Sequence, residues 1–124
     1  QRQMCIRDSR STGLLDEVRG VALNVSNYQD TANEFDYAHR LSDLLGGTHA
    51  VIDTSRNGAG PAGPEWCNPG GRLVGAASGA YGDGVVDTTL WIKPPGESDG
   101  ECNGGPAAGT WWPDAAVELT RESR

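Results

Sequence analysis

Apolar and polar positions change period several times along the chain, and each change marks an element. Leu14-Leu15-Asp16-Glu17-Val18-Arg19, closed by Gly20, reads as the last turns of a helix with glycine just past its end. From Gly20 to Val25 a short apolar strand follows and runs into polar Asn24, Ser26 and Asn27. Thr31-Ala32-Asn33-Glu34 has the capping-box spacing, in which Thr and Glu side chains satisfy free backbone N–H groups reciprocally. The helix it opens places Tyr37, Leu41, Leu44 and Leu45 on one face, and Gly46-Gly47 stops it. His49-Ala50-Val51-Ile52-Asp53 reads as a buried strand with a polar C-terminal end. Thr88 to Lys93 is the next strand, with Trp91 inside it and assigned to the core. Pro113 suits the first turn of a last helix, with Asp114 at its positive end and Arg121 near its negative end.

Alternation of helices and strands implies parallel strands with crossover connections, an α/β fold. Two long Gly/Pro-rich stretches interrupt it, Ser55 to Gly84 and Pro94 to Thr110. Loops of this length inside a domain are functional or disordered, and Trp66, Cys67, Arg72 and Tyr81 argue that the first is ordered. Three strands cannot close a barrel, so the 124 residues are expected to form half or less of a larger sheet. Residues 1–10 stand apart from residues 11–124. They carry no period, and Met4-Cys5-Ile6-Arg7-Asp8-Ser9 resembles translated sequencing-adapter read-through; the alternative is a native disordered tail.

A formal net charge of −7 and a pI near 4.6, with no basic stripe, argue against nucleic acid and anionic membrane as partners. No apolar run nears the roughly 18 residues that span a bilayer, and no secretory h-region is visible. Outside the leader, Cys67 and Cys102 make an even pair with no CxxC spacing. That reads as a disulfide in an oxidising compartment rather than a metal site, with two buried free thiols as the alternative.

The unusual polar residues follow the strands: Asn24 and Asn27, then Asp53 and Arg56, then Lys93, Glu97 and Asp99. Parallel α/β folds place their sites at the C-terminal strand ends, so one mouth is expected. Lys93-Pro94-Pro95-Gly96-Glu97-Ser98-Asp99-Gly100 packs a cation and two acids into a stiff loop. Carboxylates beside Lys93 and Arg56 stay ionised, and an ionised carboxylate serves as a base or stabilises an oxocarbenium-like transition state. A solvated surface turn explains the loop equally well. Of four tryptophans, Trp66 is the best platform for a pyranose ring; Trp111 and Trp112 fit either core or site. His39 and His49 read as surface or packing residues, and the Asn24-Val25-Ser26 sequon is expected to be unused at a strand end.

Taken together, Asn24-Val25-Ser26-Asn27-Tyr28, Val51-Ile52-Asp53-Thr54-Ser55-Arg56-Asn57-Gly58, Trp66-Cys67-Asn68-Pro69 and Leu90-Trp91-Ile92-Lys93-Pro94-Pro95-Gly96-Glu97-Ser98-Asp99-Gly100 resemble glycoside hydrolase family 6, inverting endoglucanases and cellobiohydrolases, over about Ser11 to Arg124. The resemblance implies the C-terminal portion of a distorted (β/α) barrel, truncated here, from a secreted, monomeric enzyme that cuts β-1,4-glucan without metal or organic cofactor. Asp99 falls on the family's proposed base, with Arg56 and Lys93 holding it charged. Lys93 and Glu97 match sugar-contacting positions, Trp66 a stacking tryptophan, and Asn24 and Asn27 the polar strand end lining the cleft. Cys67 and Cys102 match a disulfide tying two active-site loops, and Asp53 a structural or cleft-lining position. No position matches the family's general acid, so hydrolysis is expected only as part of a larger catalytic domain. A non-catalytic carbohydrate-binding module and a small disulfide-stabilised interaction domain are the competing readings.

Overall fold

A computed structural model describes residues 2–121. The elements are α1 (Arg2–Ser11), a 3-10 turn (Leu15–Glu17), β1 (Gly20–Leu23), α2 (Thr31–Leu45), β2 (His49–Asp53), β3 (Val86–Leu90) and α3 (Pro113–Leu119). The strands form one sheet in the order β1-β2-β3, and both pairings are parallel, as the α/β expectation requires. Leu23 pairs with Ile52, and Ile52 with Thr89, so the C-terminal strand ends stand level.

Tyr37, Ala38 and Leu41 of α2 cover one face of this sheet and bury Leu23, Ala50, Ile52 and Val86, with Val21, Phe35, Leu45 and Val85 at the margin. Apolar surface removed from water on both sides of this layer is its main source of stability. The helix starts where expected, but its N-cap is Asp30, and the Thr31 hydroxyl instead accepts from Asn57 Nδ2 at 2.9 Å. Leu44 leaves the inward face: it lies roughly 60° round the axis from Leu41 and is half exposed. Gly46 closes the helix in the left-handed conformation at φ 80°.

Three further elements differ from the pattern. Arg2–Ser11 is helical where no periodic element was read, and Arg10 donates to the Leu44 carbonyl at the end of α2. Gly20 is no helix cap; it opens β1 opposite His49, and a Cβ there would press into the His49 carbonyl. The last strand lies at Val86–Leu90 rather than Thr88 to Lys93, so Trp91 falls beyond it, is 41% exposed, and donates its indole N–H to Ala76 O. The shift has a physical cause: Thr54 N–H closes on Leu90 O, the Trp91 amide goes to Ser78 Oγ, and those of Ile92 and Lys93 go to the Asp53 side chain of β2.

No helix links β2 to β3. The intervening loop is ordered by its own bonds: Gly75 N–H to Thr54 O, Thr54 Oγ1 to Ala76 O, and a bridge between Gly79 and Thr89 that covers the outer edge of β3. Arg72 pins it further through Gly60 O. At the N-terminal end of the sheet the three strands share a charge cluster. Arg19 donates twice to Asp87, at 2.6 and 2.8 Å, and His49 Nδ1 lies 2.9 Å from the same carboxylate.

Candidate active site

The opposite end of the sheet is organised by one carboxylate. Asp53, the last residue of β2, is 1% exposed and accepts four backbone N–H groups. Ser55 (2.9 Å) and Ile92 (3.3 Å) donate to Oδ1; Ser26 (2.9 Å) and Lys93 (3.2 Å) donate to Oδ2. One side chain thereby ties the chain leaving all three strands. Ser26 is left-handed at φ 59°, and its carbonyl accepts Arg56 Nη2 at 2.7 Å. The turn after β2 thus aims the buried Arg56 guanidinium across the strand ends.

Arg56 meets Asp99 there, Nη1 to Oδ2 at 2.9 Å, with both side chains almost fully buried. Lys93 Nζ stands 3.6 Å from Asp99 Oδ1 and 3.8 Å from Glu97 Oε2. The four charged residues picked from sequence therefore converge, across 43 residues in the Arg56–Asp99 case. Burial pushes the Asp99 carboxyl upward, but the Arg56 hydrogen bond, the Asn68 N–H and the charges of Arg56 and Lys93 outweigh it, leaving it below the ordinary value. A buried carboxylate kept ionised by two cations can accept a proton from water or offset positive charge on a reacting centre.

Two residues at this centre had no role assigned from sequence. Tyr28, 1% exposed, donates its hydroxyl to Asp99 Oδ2 at 3.2 Å and lays its ring 4.7 Å from the Arg56 guanidinium. Burial, ahead of the Asp99 charge, holds its phenol above the ordinary value against Arg56. Asn68 is left-handed at φ 47°. Its N–H donates to Asp99 Oδ2, its Oδ1 accepts Asp99 N–H, and its Nδ2 reaches Ser98 Oγ, Gly100 O and Cys102 O. The signals were present in hindsight: an aromatic directly after the polar end of β1, and an Asn in a Gly/Pro-rich loop, a residue that tolerates the left-handed region.

The Cys67–Cys102 disulfide forms, and it flanks Asn68 and Asp99 on both loops. Trp66, next to Cys67, is 67% exposed, and its carbonyl lies 3.4 Å from the Tyr28 hydroxyl. Asn24 and Asn27 part company. Asn24 spends its carboxamide on Gln29 N–H and Asp53 O, whereas Asn27 is exposed and its Oδ1 accepts the N–H of Tyr28. Trp111 is exposed and Trp112 half-buried; the latter, with Tyr28, Arg56, Asn68 and Glu97, lines a cleft of about 450 Å³. His39 and His49 are remote from these strand ends, engaged with Asp83 and Asp87. Among the described residues no group of His, Cys, Asp and Glu is arranged to hold a metal ion, and no helix is long and apolar enough to cross a membrane.

Comparison with known proteins converges on one family. The family model for glycosyl hydrolases family 6 matches residues 2–123. Endoglucanase A of Cellulomonas fimi is 57% identical over 106 residues, covering 85% of this chain and 23% of that relative. A 1,4-beta-D-glucan cellobiohydrolase, CEL6B, of Podospora anserina is 33% identical over 141 residues, covering 94% of this chain and 34% of that relative. The solved structure of the endoglucanase Cel6 from Mycobacterium tuberculosis, in complex with methyl-cellobiosyl-4-deoxy-4-thio-β-D-cellobioside, superposes with a TM-score of 0.90 at 42% identity. It covers 99% of this chain and 43% of that one, so the three parallel strands correspond to part of a distorted α/β barrel.

Proposed function

The chain belongs to glycosyl hydrolases family 6, and from that premise we propose that it supplies the base side of an enzyme hydrolysing β-1,4-glucosidic bonds in cellulose or a related β-glucan, with inversion. The carrying observation is the buried Asp99 carboxylate, ionised between Arg56 and Lys93 beside an exposed Trp66. Inversion needs one carboxylic acid on the leaving oxygen and one carboxylate to activate water on the opposite face of the sugar, roughly 6.5–9.5 Å away. Asp99 takes the second role. It draws the proton from the attacking water while Lys93 and Arg56 keep it anionic until that moment. Trp66 stacks under a glucose ring on the glycone side, and Lys93, Glu97 and the exposed Asn27 contact sugar hydroxyls. Asn24, with its carboxamide spent on backbone, shapes the turn that presents Asn27.

On this reading no carboxylate among the described residues takes the acid role; the acid comes from elsewhere in the enzyme, and these residues alone do not hydrolyse glucan. A binding module would use Trp66 equally well. It has no need of Glu97 and Asp99 both held within 4 Å of the Lys93 ammonium, and that grouping favours the hydrolase. The disulfide supports an extracellular, oxidising site of action. In the complete enzyme carrying this chain, Asp99→Ala is expected to lower kcat on cello-oligosaccharides by roughly 10²–10⁴-fold without matching loss of binding. Near-full hydrolysis in that variant sinks the assignment.

A further inference from the structure

The two oxygens of Asp99 are treated unequally. Oδ2 receives three donors: Arg56 Nη1 at 2.9 Å, Asn68 N–H at 3.0 Å and the Tyr28 hydroxyl at 3.2 Å. A carboxylate oxygen offers about two lone-pair sites, so Oδ2 is saturated. Among the described residues Oδ1 has only the Lys93 ammonium at 3.6 Å, beyond hydrogen-bond length. Tyr28 is the donor in this set whose removal changes least else. Its ring stacks on Arg56 and would persist in phenylalanine, while the hydroxyl is a separable group. That hydroxyl also lies 3.4 Å from Trp66 O, but it has one proton to give, and the nearer, ionised acceptor takes it.

We propose that Tyr28 is a positioning residue for the proton-accepting carboxylate: by occupying Oδ2 together with Arg56 and Asn68, it leaves Asp99 Oδ1 as the oxygen turned to water. This rests on Asp99 being the base. The ring and the hydroxyl act on one object from two directions, holding Arg56 flat and Asp99 fixed in rotation. The charged and titratable groups facing Asp99 are Arg56 and Tyr28 from the turns after β2 and β1, and Lys93 from its own loop, with Glu97 across Lys93. Loss of a hydrogen bond to the ionised form makes that form harder to keep. The acid limb of the pH profile, which reports the base in the free enzyme, must then move upward.

The test uses Tyr28→Phe and Asp99→Asn side by side in the complete enzyme carrying this chain. In Tyr28→Phe the acid limb of kcat/KM is expected to rise by about one pH unit, with kcat lowered more than KM is raised and the alkaline limb unmoved. Asp99→Asn is expected to lower hydrolysis by roughly 10²–10⁴-fold. Loss of hydrolysis in Asp99→Asn with an unmoved limb in Tyr28→Phe overturns the positioning role and leaves the base assignment standing. Retained hydrolysis in Asp99→Asn overturns the base assignment and this inference with it. Should Tyr28→Phe not fold, 3-fluorotyrosine at position 28, a stronger donor of the same shape, must move the limb to lower pH; no movement there also overturns the proposal.

Discussion

Replacing Asp53 by Asn tests how the strand ends are held. The substitution keeps the side-chain shape and changes one oxygen into an NH₂ group. In the wild-type chain two amides converge on each oxygen, Ser55 and Ile92 on one, Ser26 and Lys93 on the other. Whichever way the carboxamide turns, two buried N–H donors face another donor. A buried donor without an acceptor costs about 1–3 kcal/mol, so the pair costs roughly 2–6 kcal/mol. Domains of this size have about 5–15 kcal/mol of total stability, and the loss would be plain in urea-induced unfolding followed by tryptophan fluorescence. Because the four amides belong to the exits of all three strands, the variant should also lose the near-ultraviolet signal of the 91–93 region before global unfolding. Asp36→Asn, on the exposed side of α2, is the matched control and should leave the midpoint nearly unchanged. A cost below about 1 kcal/mol for Asp53→Asn would refute the view that this carboxylate organises the site.

Three further outcomes are expected. Gly20→Ala places a methyl group against the His49 carbonyl and should separate β1 from β2, lowering the melting temperature by several degrees, about 1–3 kcal/mol by the usual cost of overpacking; an unchanged melting curve counts against the close strand approach. Reduction of Cys67–Cys102 releases a loop of 35-residue separation and should cost about 4 kcal/mol on the entropic model, read as a denaturation midpoint with and without reductant. The carboxyls of Asp83 and Asp87 are lowered to about 2, chiefly by the Val86 N–H for Asp83 and by Arg19 for Asp87. Depressed values mean that their contribution is full above the unfolded value near 4 and is lost as pH falls from there through about 2. Wild-type and Asp87→Asn melting temperatures should therefore converge below pH 2, and a gap that persists there contradicts the linkage.

What was legible in the sequence follows from which forces act locally. β2 was placed to the residue because a glycine pair precedes it and an apolar run ends at Asp53. The start of α2 was likewise visible, although the capping partner was not: Thr31 is claimed by Asn57, 26 residues away, and no local pattern carries that. β3 starts two residues and ends three residues earlier than the pattern reads, because Thr88-Thr89-Leu90-Trp91-Ile92 is apolar enough to serve in either frame. The choice is made by pairing with Ala50–Asp53 and by the Asp53 carboxylate, both distant in sequence. The charged members of the site could be listed, since strand ends collect them in parallel sheets. Of the neutral members, Trp66, Asn24 and Asn27 were legible too, whereas Tyr28 and Asn68 were missed. Tyr28 acts through a hydroxyl and Asn68 through its backbone N–H and carboxamide, on partners 71 and 31 residues further on.

Those separations carry a consequence for how the molecule matures. Asp99 owes its orientation to Asn68, Arg56 and Tyr28, none of them within its own loop. The sheet can assemble from β1, α2 and β2, which are close along the chain, before either long loop has found its place. Closing those loops carries an entropic cost that is recovered only once the distant contacts form. On dilution from denaturant, far-ultraviolet circular dichroism should therefore return first and the near-ultraviolet signal of the loop tryptophans last, with a population in between that has its sheet and α2 but not yet the Arg56–Asp99 pair.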